Sequence, residues 1–419
     1  MTDTQPLPDR LVARTVEIDA ATPIDLLAVA GSGGVLFEHE HAGVAGRGVA
    51  LRIDLPHGLE GAAAIVGDAL RSIAVDAAAG AGRDAGAGPV AIGAFPFRPG
   101  APATLVVPAL SVRRSPDGRQ WLTTIGEGAA PRPPLELAPA ASPSSLPDGF
   151  ILTSPRSHDD WRATVAEAIA AIDAGAFDKV VLAREVVVEA NRPIVVPDVV
   201  DRLRSLYPSC MVFSVDGFVG ATPELLASRV GRQVRSHPLA GTYPRSGDPE
   251  ADDALAAELL ASVKDRWEHR LLVDMVAREL GALCAELDVP DTPSILPLRN
   301  VLHLGTDIRG ALAADDTSVL DLVARLHPTP AVGGTPVGPA LEWLDEHEGM
   351  DRGRYAGPVG WVDARGDGEF GIGIRCAEIA GRRARLFAGV GVVDGSDPQT
   401  ELVETQLKLQ ALLAALVRP

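Results

Sequence analysis

The run Asp178-Lys179-Val180-Val181-Leu182-Ala183-Arg184 sets a lysine among small and apolar residues. As a strand it would turn Val180 and Leu182 to one face and Lys179, Val181 and Ala183 to the other. A lysine held on such a face is a candidate proton acceptor, although an edge lysine reaching solvent fits the segment equally well. Gly220-Ala221-Thr222-Pro223-Glu224-Leu225-Leu226 puts Glu224 just inside an apolar strand after a Gly/Pro turn. There a partly buried carboxyl group would bind its proton more tightly and could serve as a general acid; a turn carboxylate is the alternative. Lys264-Asp265-Arg266-Trp267-Glu268-His269 leads into Leu271, Leu272 and Met275, so Glu268 shares a helical face with Leu272. Near the end of the chain Glu401, Glu404 and Lys408 fall on one side of an amphipathic stretch. Two helices that each present a glutamate could hold a hard, oxygen-liking divalent ion, or could carry ordinary surface salt pairs. In Gly371-Ile372-Gly373-Ile374-Arg375, read as a strand, the isoleucines share one face and the glycines and Arg375 the other. Glycine admits a ligand closely and arginine grips a carboxylate bidentately. Phe387-Ala388-Gly389-Val390-Gly391 and Pro238-Leu239-Ala240-Gly241-Thr242 supply further close-approach surface.

These residues need elements to position them. Hydrophobic spacing predicts helices over Asp159–Ala174, Asp252–Leu280, Ser318–Leu326 and Gln399–Leu416. It predicts strands over Asp178–Val188, Leu225–Val230 and Gln233–His237, the last two joined as a hairpin near Gly231. Three more strands are expected near Pro358–Asp363, Glu369–Cys376 and Ala384–Val390. The first 130 or so residues read as strand-rich, with a helix around Leu59–Val75. Gly128–Pro147, crowded with proline, serine and alanine, is the best linker candidate. Hairpins mixed with long helices point to an α+β fold.

Composition narrows the function classes. The chain has 419 residues, 46% of them hydrophobic, and a formal charge of -18, which opposes nonspecific nucleic-acid binding through a broad basic surface. Cys210, Cys284 and Cys376 form no ligand cluster and no disulfide framework. No secretory signal or membrane-spanning run is evident, so a cytoplasmic location is expected. Gly31-Ser32-Gly33-Gly34 and Ala78–Gly88 are glycine-rich but lack a nucleotide-binding context, and His39 and His41 lack further ligands.

Taken together, DKVVLAR (178–184), GATPELL (220–226), PLAGT (238–242), VKDRWEH (263–269), HPTPAVGG (327–334), YAGPVGW (355–361), GIRCA (373–377), LFAGVGVV (386–393) and ELVETQLKL (401–409) resemble the chorismate-utilising enzymes. Among these the resemblance is to the isochorismate synthases, over roughly Leu152–Val417. It implies an α+β fold of two similarly built halves, with large antiparallel sheets flanked by helices. Residues 1–150 would be the divergent first part of that fold and 151–419 the chorismate-binding region, overriding the linker as a domain boundary.

The resemblance also implies roles. Lys179 matches the lysine that activates water and Glu224 the general acid. Glu268 and Glu404 match the carboxylates that bind Mg2+. Arg375 and Lys408 match cations around the substrate carboxylates, with Gly241, Thr242, Tyr355 and Gly391 lining the site. The implied reaction isomerises chorismate to isochorismate without a redox cofactor, and a lysine at position 179 argues against an ammonia-using enzyme with a glutaminase partner. A monomer is expected. A salicylate-forming enzyme and a catalytically inactive structural or regulatory paralogue are the alternatives.

Overall fold

The computed structural model describes residues 11–19, 21–22, 24–76, 84–128 and 146–417; most of the linker candidate and part of the 78–88 glycine run lie outside them. Three sheets carry the described strands, of thirteen, nine and three strands. The largest runs in hydrogen-bonded order through Phe150–Thr153, Lys179–Ala190, Arg383–Val393, Cys376–Ala380, Phe218–Thr222, Met211–Val215, Val35–His39, Ala42–Arg47, Leu110–Arg114, Gln120–Glu127, Leu11–Ile18 and Ala74–Asp76. The two-residue strand Gly334–Thr335 pairs with Lys179–Ala190 at Lys179 and Val180. The second sheet runs Cys284–Asp288, Ile308–Leu312, Gln233–His237, Leu225–Val230, Gly368–Ile372, Pro358–Asp363, Val90–Ala94, Ala103–Val107 and Leu51–Leu55. Leu239–Pro244, Val301–Gly305 and Ser294–Pro297 form the third. Both large sheets therefore draw strands from before residue 128 and after residue 146.

Strand alternation explains how one chain feeds two cores. Phe37, Phe213 and Phe218 of the largest sheet join Ile92, Trp361 and Phe370 of the second in one buried cluster, so the main core lies between the sheets. Their strand neighbours Leu36, Val212 and Val219 turn to the opposite face. That face is covered by the helices Leu26–Ala30, Val196–Leu206 and Pro398–Val417, whose Leu26, Leu203, Leu412 and Leu416 complete a second core. The predicted α+β class and the helices near 159–174, 318–326 and 399–416 are present, as His158–Asp173, Val319–Leu326 and Pro398–Val417.

Two elements differ from the sequence expectation. The single helix expected over Asp252–Leu280 is two, Pro249–Ala261 and Val263–Gly281. Ser262 stands between them with extended backbone, and its side chain accepts from the Asp265 amide, so a serine N-cap starts a new helix. The strand expected over Glu369–Cys376 ends at Ile372, and a separate strand begins at Cys376. The chain leaves the second sheet at Ile372 and enters the largest at Cys376. Gly373-Ile374-Arg375 is the crossover, with Arg375 in the left-handed region at φ 50°. The alternating faces assigned to this segment therefore do not exist. His39 ends a strand and His41 lies beyond it at φ 67°, so they share no strand face; His39 Nδ1 instead lies 3.5 Å from Glu369.

Candidate active site

Where the chain passes between sheets it cannot continue a ladder, and its side chains are free to aim into the gap. Glu224 occupies one such passage. Phe218–Thr222 belongs to the largest sheet and Leu225–Val230 to the second, with Pro223-Glu224 between them. Arg375 occupies the return passage, and the two are tied by a 3.1 Å hydrogen bond from the Ile372 amide to the Glu224 carbonyl. A third passage, from Gln233–His237 to Leu239–Pro244, brings Leu239, Gly241 and Thr242 to the same place. An arginine at positive φ is a costly conformation of the sort that concentrates at functional sites.

These passages open on a cavity of about 400 Å³, within the range of small-molecule sites. All ten residues selected from the sequence line it: Lys179, Glu224, Gly241, Thr242, Glu268, Tyr355, Arg375, Gly391, Glu404 and Lys408. Lys179 is 4% exposed, and Val181 on the same strand face also lines the cavity while Val180 and Leu182 enter the main core. Glu268 approaches it from the helix Val263–Gly281, its Oε2 3.7 Å from Lys179 Nζ. From the last helix, Lys408 Nζ lies 2.6 Å from Glu404 and donates to the Gly389 carbonyl at 2.9 Å. Tyr355 stacks on Phe387 with ring centroids 5.1 Å apart.

Glycine leaves room opposite the lysine. A Cβ at Gly391 would stand 2.7 Å from Lys179 Cε, and one at Gly389 2.8 Å from the Tyr355 hydroxyl. A side chain at either position would displace a group that the cavity presents.

Burial pushes the Glu224 carboxyl up to about 8, against the opposing pull of the Leu239 amide and of Lys179, Lys408 and Arg375. It therefore keeps a proton at neutral pH. Burial likewise raises Glu401 to about 7, reinforced by Glu404.

His303 lines the cavity and carries no signal in the sequence motifs. It is 6% exposed, accepts from Arg375 Nη2 at 3.3 Å through Nε2, and donates through Nδ1 to the Gly241 carbonyl at 2.7 Å. Burial, then the nearby Arg375, lowers it to about 3, so it stays neutral beside the guanidinium. Outside those motifs, its signal is that of a lone polar side chain in the apolar strand Val301–Gly305. Asp265 and Glu401 also line the cavity.

The donors suit a hard cation. Carboxylates of Glu268 and Glu404 reach the cavity from different helices, each with a second acidic residue, Asp265 or Glu401, that also lines it. Among the described residues no three acidic, histidine or cysteine side chains converge as a metal cluster. Two carboxylates with water completing the shell fit Mg2+, which gives up its water reluctantly.

Two packed sheets, antiparallel but for the pairing of Leu11–Ile18 with Ala74–Asp76, and a cavity of this make-up define a class, and the chain belongs to it: a family model described as chorismate binding enzyme matches residues 136–417. Relatives within that family include isochorismate synthases. The isochorismate synthase DhbC of Bacillus subtilis is 42% identical over 269 residues, covering 62% of this chain and 68% of that one. The isochorismate synthase EntC of Escherichia coli is 34% identical over 330 residues, covering 78% and 80%. The structure of MenF, the menaquinone-specific isochorismate synthase from Escherichia coli, aligns with a TM-score of 0.79 at 26% identity, over 99% of this chain and 97% of that one.

Proposed function

We propose that the protein is an isochorismate synthase, converting chorismate to isochorismate by adding water at C2 of the ring with loss of the C4 hydroxyl. The observation that carries this reading is the pairing, in one cavity, of buried Lys179 with a Glu224 carboxyl held protonated at neutral pH. One takes a proton and the other gives one, as the exchange of a ring hydroxyl requires.

In this reading Lys179 removes a proton from the attacking water and the ring double bonds shift. Glu224 gives its proton to the departing C4 hydroxyl, which leaves as water, so the product is an isomer of the substrate. Arg375 and Lys408 hold the substrate carboxylates, and His303 keeps the guanidinium turned inward from Nε2. Gly241 and Thr242 form one wall and Tyr355 another, while Gly391 leaves room for the lysine. Fixing the ring between base and acid spares each a search for its target. Glu268 and Glu404 would hold Mg2+, which would offset the negative charge of the cavity carboxylates and the dianionic substrate. The family match from residue 136 and the position of all ten selected residues after 178 support 151–419 as the chorismate-binding region, with 1–150 as the divergent first part of the same fold.

Purified protein given chorismate and Mg2+, without ammonia or any glutaminase, should produce an equilibrium mixture of chorismate and isochorismate. Chromatography of the quenched reaction reads the outcome. Quantitative conversion to salicylate and pyruvate would overturn the assignment in favour of a salicylate-forming enzyme, and absence of any turnover would favour an inactive paralogue.

A further inference from the structure

Outside the cavity lies a buried ion pair that the proposed chemistry does not use. Glu348 follows the helix Val337–His347, and Arg352 comes four residues later; each is 4% exposed. Arg352 donates from Nε to Glu348 Oε2 at 2.7 Å and from Nη2 to Oε1 at 2.6 Å. The remaining bonds of the pair go to backbone. Arg352 Nη2 donates to the Val181 carbonyl at 2.6 Å and Nη1 to the Val332 carbonyl at 2.8 Å, while the Ala183 amide donates to Glu348 Oε1 at 2.8 Å.

The place of these bonds is specific. On one side the strand Lys179–Ala190 is paired continuously with Arg383–Val393. On its other side Lys179 and Val180 pair with Gly334–Thr335, and Val187–Ala190 pair with Phe150–Thr153. Between those short partners the Val181 carbonyl and the Ala183 amide face the ion pair in place of a strand. The lysine strand is thus fastened two and four residues beyond Lys179 by side chains. The same guanidinium holds Val332, which lines the cavity, and the Arg352 carbonyl accepts from the amide of Tyr355, another lining residue, at 2.9 Å.

We infer that the Glu348–Arg352 pair is a positioning unit that sets Lys179 against the Val332 and Tyr355 walls of the cavity. This rests on the reading of Lys179 as the base. Stability alone is a weak reason for the pair, because well-packed apolar residues of similar volume commonly do as well or better than a buried ion pair. Apolar residues would, however, leave the Val181, Ala183 and Val332 backbone groups without these partners.

The test separates positioning from stability. In a Glu348→Leu/Arg352→Met double variant the charges are gone and the volume is nearly kept. With folding matched to wild type by circular dichroism and urea unfolding, kcat for isochorismate formation should fall about 10- to 100-fold, as misplacement of a reacting group does, while KM for chorismate changes less than about threefold. Hydrogen exchange should quicken in the 179–184 and 329–335 peptides. Should the double variant not fold, Arg352→Ala serves: guanidinium ion at non-denaturing concentration should restore kcat, and urea should not. Wild-type kcat and exchange in a folded double variant, or no restoration by guanidinium in a folded Arg352→Ala, overturns the inference. The wild-type control keeps the two readings apart: if wild type makes no isochorismate the function is wrong, whereas wild-type product with unaffected variants removes only the positioning role.

Discussion

Replacing Glu224 by glutamine should cripple turnover and, above pH 5, stabilise the protein. The carboxyl titrates near its ordinary 4.5 in the unfolded chain and near 8 when folded, raised by burial. Between those values the native state holds a proton that the unfolded state has released, so stability falls as pH rises through that window. At about 1.4 kcal/mol per unit, the 2.5 units between 4.5 and pH 7 amount to about 3 kcal/mol of destabilisation carried by the wild-type carboxyl. Glutamine has nearly the same shape and does not titrate, so Glu224→Gln removes that slope. Urea unfolding of both proteins, free of substrate and Mg2+, should show nearly equal stability at pH 5. The gap should widen in favour of the variant by about 1.4 kcal/mol per pH unit and level off above about pH 8. Turnover by the variant should drop by about two to four orders of magnitude for want of the acid. Wild-type kcat/KM should in turn decline above about pH 8, as the carboxyl loses the proton it must donate. A stability gap that stays flat from pH 5 to 8 would mean that the folded carboxyl ionises normally, and the general-acid argument would fail with it.

Lys179→Ala should lose about two to four orders of magnitude in kcat while still binding chorismate in a calorimetric titration; near-wild-type turnover with isochorismate as product removes the base assignment. Chelation by EDTA should stop turnover and Mg2+ restore it, and Glu268→Gln or Glu404→Gln should raise the Mg2+ concentration needed for half-maximal activity, since each loses one hard anionic oxygen. Undiminished activity in metal-free buffer would take Mg2+ out of the mechanism. Gly391→Ala would set a methyl 2.7 Å from Lys179 Cε, so kcat should fall about 10- to 100-fold with folding retained; an unchanged kcat would show that the lysine does not need the room.

Much of the site was legible in residue types and spacing, because each catalytic candidate sits in a local pattern with a physical meaning. Alternation alone separated Lys179, Val181 and Ala183 from Val180 and Leu182; Lys179 and Val181 line the cavity and Val180 and Leu182 enter the core, but Ala183 joins the core as well. Helical spacing put Glu401, Glu404 and Lys408 on one side of the last helix, and all three line the cavity. What alternation could not reveal is where a strand stops. Gly371 to Arg375 has a strand-like pattern, yet Arg375 reaches the cavity because the chain changes sheets after Ile372 and turns through positive φ. That choice depends on which sheet each half of the segment joins, and each half has one partner strand more than a hundred residues away. His303 depends on tertiary structure for the same reason: it acquires its role only when Arg375 and the Gly241 carbonyl arrive from two other passages. The local run around Glu224 left a partly buried carboxyl and a turn carboxylate both open; the burial that raises its pKa comes with the passage between the two large sheets. Sequence determined the chemical inventory and its periodic faces; the crossings between sheets decided that the inventory meets in one cavity.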